Sequence, residues 1–154
     1  MAVYYLDASA LAKRYVLEVG NRWVVGITNP VSGHDIFIVR IPGPEIIAAL
    51  FRKARARELS QRDASRAAAN FKFDLTSQCH ILEVTPGLAD RAMTLAQAHS
   101  LRGYDAVQLA AAAELHILRN GMGLTPLTFV SADGELNKAA QSEGLAVDDP
   151  DSHP

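Results

Sequence analysis

Apolar runs bounded by breakers alternate with stretches in which apolar residues recur every three or four positions, and this alternation continues along the whole chain. Val3-Tyr4-Tyr5-Leu6 is a short β-prone run that stops at Asp7, after which residues 8–15 carry Leu11 and Tyr15 four apart on one helical face. Glu18-Val19-Gly20-Asn21 reads as a helix stop and a new cap, so residues 22–27 form a second short helix closed by Asn29-Pro30. A turn at 31–34 leads into a β-branched and aromatic second strand over 35–40. Pro44 suits the first turn of a helix over 44–59, with Ile46, Leu50 and Ala54 on one face and Glu45 near its start.

Ser60 caps a further helix through Ala64, Ala67, Ala68, Phe71 and Leu75. A third strand over 80–84 is stopped by Thr85-Pro86, and the helix over 86–99 turns Leu88, Ala92, Leu95 and Ala96 inward. After a loop at 100–104, Asp105 opens the most apolar helix of the chain, running to Leu118 and rich enough in Ala and Leu to lie buried against a sheet. Residues 127–131 give a fourth strand, Asp133 follows it, a helix runs to about Gln141, and 145–147 supply a fifth strand. Strands alternating with helices predict an α/β fold, a parallel sheet flanked by helices on both faces. The pattern predicts one domain over 1–148 and a polar, frayed tail over 149–154.

With 154 residues, 49% of them hydrophobic, the chain has material for one well-buried core. Its single cysteine, Cys79, has no partner for an intramolecular disulfide, and beside His80 it lacks companion ligands at zinc spacing. No run reaches the length of a membrane span and no signal peptide opens the sequence, so a cytoplasmic protein with no membrane partner is expected. A formal charge of −2 argues against coating nucleic acid by bulk electrostatics and leaves only local clusters for that purpose.

Four carboxylates then stand out. Asp7 follows the first strand, Glu45 lies in the first turn after the second, Asp105 opens the buried helix, and Asp133 follows the fourth strand. Each alone has an ordinary explanation, because Asp is a favoured N-cap and Glu in a first turn suits the helix dipole. In a parallel sheet, however, all four positions share one edge, and unpaired acids crowded there repel unless a cation neutralises them. Oxygen-only ligands favour Mg²⁺ or Mn²⁺ over zinc, and phosphodiester hydrolysis is the chemistry such an ion serves. Ser9, two residues past Asp7, is placed to orient a water or a carboxylate. A phosphatase of the haloacid-dehalogenase class needs a second acid where this chain has Ser9, and a nucleotide-binding turn needs glycines that Asp7-Ala8-Ser9-Ala10 lacks.

Tyr5-Leu6-Asp7-Ala8-Ser9-Ala10-Leu11, Glu45-Ile46-Ile47-Ala48-Ala49-Leu50, Tyr104-Asp105-Ala106-Val107-Gln108-Leu109-Ala110 and Phe129-Val130-Ser131-Ala132-Asp133 occur in that order. Together they resemble the PIN-domain ribonucleases of the VapC type, the toxin half of bacterial toxin–antitoxin pairs. The resemblance implies a sheet of order 3-2-1-4-5 and a Mg²⁺- or Mn²⁺-dependent endonuclease acting on single-stranded RNA. It also implies a homodimer and an antitoxin that occupies the active-site groove. On this resemblance Asp7, Glu45, Asp105 and Asp133 take the acidic positions, with Glu135 near enough to compete with Asp133, and Ser9 takes the small hydroxyl position. One departure is Pro42-Gly43-Pro44 where a Ser or Thr cap is expected. The alternative is a non-catalytic interaction module on the same fold.

Arg52, Lys53, Arg55, Arg57, Arg62 and Arg66 form the main basic concentration, which reads equally as a solvated helix face. Lys13, Arg14 and Arg102 lie nearer the acids in sequence and are the better candidates for substrate contact. His116 is expected as a core or boundary residue, and His34, His80 and His99 lack partners at ligand spacing. Trp23, Tyr4 and Tyr5 are expected to pack, and so is Tyr104, whose place beside Asp105 leaves stacking on a base as the alternative.

Overall fold

In the computed structural model, which describes residues 1–154, β1 (Val3–Leu6) lies at the centre of a five-stranded sheet. It pairs on one side with β2 (Asp35–Val39) and on the other with β4 (Leu127–Val130), while β3 (His80–Leu82) and β5 (Ala146–Asp148) form the edges. All pairings are parallel and the order is 3-2-1-4-5, as the resemblance implied. The helices between them are α1 (Ala8–Lys13), α2 (Asn21–Ile27), α3 (Pro42–Arg55), α4 (Gln61–Ser77), α5 (Pro86–His99), α6 (Gly103–Gly121) and α7 (Gly134–Ser142).

Side chains alternate across the strands and so feed two cores. Val3, Tyr5, Leu127 and Phe129 face α5, α6 and α7, where Leu95, Leu109 and Leu136 complete the packing. Leu6, Ile36, Ile38 and Val130 face α1 to α4, meeting Leu11, Val24, Leu50 and Phe71. The run Ala110-Ala111-Ala112 is fully buried, and its small side chains let α6 lie close to the sheet. Burial of each large side chain is worth about 1.5–3 kcal/mol, so both layers hold β1 from opposite sides.

The chain steps from β1 outward to β3 and then returns to β4 on the other flank of β1. That reversal opens a crevice beyond the carboxyl ends of β1 and β4, the usual ligand position in an open α/β sheet. Leu6 pairs with Val130, so Asp7 and Ser131 leave the sheet side by side.

Several boundaries differ from expectation. α3 begins at Pro42, so both prolines lie inside its first turn, where their missing N–H groups would have had no helical partner anyway. It ends at Arg55 because Arg57 takes a left-handed backbone (φ 61°), a stop that no glycine announces in the sequence. α6 starts at Gly103, which puts Asp105 at its third residue instead of its opening.

The tail expected to fray is packed against the domain. A 3₁₀ turn at Pro150–Ser152 buries Pro150, Asp151 pairs with Lys13 at 2.7 Å, and the His153 ring stacks on Trp23 with centroids 4.2 Å apart. Gly20 makes this docking possible: its φ is +80° and a Cβ there would fall 2.5 Å from the Pro150 carbonyl oxygen. Gly20→Ala is therefore expected to destabilise the fold by about 2 kcal/mol in urea unfolding. An unchanged midpoint would contradict this packing.

Candidate active site

Asp7 is set by two elements at once. Its N–H continues the sheet to the Val130 carbonyl at 3.1 Å, and its carboxylate caps α1 by accepting the Ala10 N–H at 2.9 Å. Two serines complete its shell. Ser9 Oγ lies 2.7 and 2.9 Å from the carboxylate oxygens, and Ser131 Oγ donates to Oδ2 at 2.8 Å. Each serine oxygen in turn accepts a backbone N–H from the β4–α7 turn, Ser9 from Ala132 at 2.9 Å and Ser131 from Asp133 at 3.0 Å. The turn that carries Asp133 is thereby tied to Asp7. Asp133 itself caps α7, accepting the N–H groups of Glu135 and Leu136.

Asp7, Glu45, Asp105 and Asp133 line one pocket of about 260 Å³, together with Ala8, Ser9, Arg102, Tyr104 and Gln108. Glu45 reaches it from the first turn of α3 and Asp105 from the first turn of α6. Glu135 does not line it; it is exposed and pairs with Lys138 at 2.8 Å.

The electrostatics record the crowding. Burial pushes the Asp7 carboxyl up to about 6, against the hydrogen bonds that favour its ionised form and with help from the charge of Asp105. Desolvation and Asp105 raise Glu45, with Arg52 opposing; desolvation and Asp133 raise Asp105, with Arg102 opposing. None of the four acids has a basic nitrogen within ion-pair distance.

This donor set suits a hard divalent cation, with oxygen atoms only, mutually destabilised negative charge and no basic side chain paired with it. The side chains do not form a closed cage, since no three acidic, histidine or cysteine groups converge to coordination distance. Like charges without a counter-ion hold apart, and Mg²⁺ typically takes only one or two carboxylates directly, leaving its other positions to water and substrate.

Over 148 residues the chain is 34% identical to two Mycobacterium tuberculosis proteins, Ribonuclease VapC45 and Ribonuclease VapC49, covering 96% of this chain and 95% of each of them. The chain belongs to the VapC ribonuclease family. No family model matches it. Among solved structures, PAE2754 from Pyrobaculum aerophilum superposes with a TM-score of 0.62 at 23% identity, over 98% of this chain and 91% of that one. VapBC2 from Rickettsia felis, bound to a DNA fragment from the promoter, gives 0.61 at 11% identity over 96% and 98%. At these identities the structures speak for the fold.

Two of the three basic residues singled out in this VapC chain are committed elsewhere. Lys13 is buried, donates to the Val19 carbonyl at 3.0 Å and pairs with Asp151 and Glu18. Arg14 binds Asp74 at 2.9 Å and Thr28 at 2.6 Å. Both point away from the pocket because α1 is short and its far end serves as an anchor for the tail and for α4; only Arg102 lines the site. Tyr104, expected to pack, is 63% exposed at the pocket.

Sequence reasoning passed over two site residues. Ser131 lay inside the last matched block, two positions before Asp133, yet only the register of β1 on β4 brings it to Asp7. Gln108 is three residues past Asp105, hence on the same helical face, and is the one amide in a run of Ala and Leu. It is fully buried, its Oε1 accepts from the Tyr5 hydroxyl at 2.8 Å, and its Nε2 has no partner.

No helix is long and apolar enough to cross a membrane.

Proposed function

We propose that this chain is a Mg²⁺- or Mn²⁺-dependent endoribonuclease, the toxin of a toxin–antitoxin pair, which hydrolyses RNA phosphodiester bonds at the acidic pocket. The observation that carries the reading is the meeting of four acids, from four separate elements, in one pocket at the carboxyl edge of the sheet. Membership in the VapC family supports the activity, and its relatives bear the name ribonuclease.

Asp7, Glu45, Asp105 and Asp133 are the residues to hold the ion, which when bound supplies the Lewis acidity that phosphodiester hydrolysis requires. Ser9 and Ser131 fix both oxygens of the Asp7 carboxylate, so that ligand is oriented before anything binds. Arg102, exposed at the rim, is the basic group available to a phosphate of the RNA backbone.

An antitoxin partner is supported by membership in the VapC family and by VapBC2 among the fold neighbours. A homodimer fits the exposed apolar group Ile117, Leu118, Met122 and Leu124 around the end of α6, which light scattering would test. For the activity, the direct test is incubation of the purified chain with a panel of single-stranded and structured RNAs in Mn²⁺. Discrete cleavage products are expected; an intact panel would overturn the reading.

The raised Asp7 carboxyl also sets a pH dependence. An acid must be ionised to hold a cation, so at low Mn²⁺ the cleavage rate is expected to rise with pH through about 6, falling roughly tenfold per pH unit below it. Higher Mn²⁺ should move that limb to lower pH, because cation and proton compete for the same oxygens. A flat profile between about pH 5 and 8 would contradict this.

A further inference from the structure

The chain has four tyrosines, and three of them are spent on the fold. Tyr4 meets Trp23 and His34 edge-on, Tyr5 stacks on Phe129 and donates to Gln108, and Tyr15 meets Phe71 and donates to Asp74. Tyr104 has neither a ring partner nor a hydrogen bond, and it is 63% exposed. Its place adds meaning to that exposure. It is the second residue of α6, directly before Asp105, on the wall of the acidic pocket. Arg102, two residues earlier, lines the same pocket and has no acidic partner, whereas Lys13 and Arg14 are both paired inside the fold.

We propose that Tyr104 is a base-stacking residue: its ring takes the face of the nucleobase next to the scissile phosphate, while Arg102 holds an adjoining phosphate. The proposal rests on the nuclease reading above and adds the part of the substrate that reading leaves unassigned.

The chemistry favours this occupant. An unpartnered phenol ring at the rim of a polar, acidic pocket offers a flat apolar face to a ligand that is otherwise charged, and every nucleobase has such a face. Stacking of that kind is independent of base identity, so Tyr104 supplies affinity and register without sequence preference. It also demands a base already free of its neighbours, which selects single-stranded or looped RNA over a duplex. A nucleotide held between Tyr104 and Arg102 brings its phosphate to Asp105 and Asp7, which line the same pocket.

The test uses the whole chain in Mn²⁺ with a single-stranded RNA that the wild type cleaves. Tyr104→Ala is expected to raise KM about 10-fold with a smaller change in kcat, and Tyr104→Phe, which keeps the ring, to stay within about 2-fold of wild type. Removing the base flanking the cleaved bond should raise KM for wild type by a similar factor and leave Tyr104→Ala unaffected. A binding readout runs beside it. With 2-aminopurine at that position and Asp7→Asn protein to prevent cleavage, binding should quench the fluorophore, less so when Tyr104→Ala is added. Because the ring is exposed, thermal unfolding of Tyr104→Ala should match wild type.

Equal KM for wild type and Tyr104→Ala, or a Tyr104→Phe variant as impaired as Tyr104→Ala, overturns the stacking role while leaving the nuclease intact. The first of these results would assign the exposed ring to a protein partner instead. A wild type that cleaves no RNA overturns both readings together.

Discussion

Asp7→Asn is expected to lower RNA cleavage by more than about 100-fold and at the same time to make the cation-free protein more stable. The first effect follows from position. Asp7 is the most buried of the four acids, and its carboxylate is oriented by Ser9, Ser131 and the Ala10 N–H. Loss of a partner one shell further out usually costs 10- to 100-fold in metal affinity or activity, so loss of the oriented ligand itself should exceed that. The second effect follows from the raised carboxyl. An acid whose pKa lies at about 6 in the folded chain and 3.8 in the unfolded one holds its proton more tightly when folded, so ionising it weakens the fold. That penalty is absent below about pH 4, grows as pH rises to about 6, and is then constant at about 3 kcal/mol. Asparagine abolishes the charge but keeps an oxygen for the Ala10 N–H, and Asn caps helices about as well as Asp. The serine hydroxyls can rotate to accept from its amide. At pH 7.5 in chelator, Tm should therefore rise by about 6–12 °C for Asp7→Asn, and at pH 4 the two proteins should converge. Equal Tm at pH 7.5 would contradict the strained carboxylate, and undiminished cleavage would remove Asp7 from the site.

Removal of divalent cations is expected to abolish cleavage outright. No basic side chain stands within ion-pair reach of the four acids, and Arg102, the one basic residue lining the pocket, can bind a phosphate but cannot neutralise the acids or activate a water as an ion would. Mg²⁺ or Mn²⁺ added back should restore the rate and also raise the wild-type Tm, since a ligand at 100 times its Kd adds about 2.7 kcal/mol. In Asp7→Asn the same addition should leave Tm nearly unchanged. Cleavage that persists in excess chelator would mean another chemistry, with a general base in place of an ion.

The architecture was open to sequence reading because its signals are local. Short apolar runs stopped by Asp7, by Pro42, by Thr85-Pro86 and by Asp133 mark strand ends; Asp7 and Asp133 cap the helices that follow, while Glu45 and Asp105 sit in the first turns of α3 and α6. What escaped depends on contacts between distant segments. Ser131 reaches Asp7 only through strand register, and Lys13 is drawn from the site by Asp151, 138 positions along the chain. The polar tail looked unable to pack, yet a proline, a glycine with φ of +80° and a ring stack are enough to fasten it. Tyr104, read as part of the loop at 100–104 and expected to pack, lies instead in the first turn of α6, where its ring is exposed.

The central claim is that Asp7 and its three companions bind a divalent cation, and a Mn²⁺ titration of the chelated 154-residue chain, followed by electron paramagnetic resonance at pH 7.5, tests it without reference to catalysis. Saturable binding is predicted, weakened more than about 100-fold by Asp7→Asn and at least about 10-fold by Asp105→Asn. Binding equal in wild type and Asp7→Asn would contradict it.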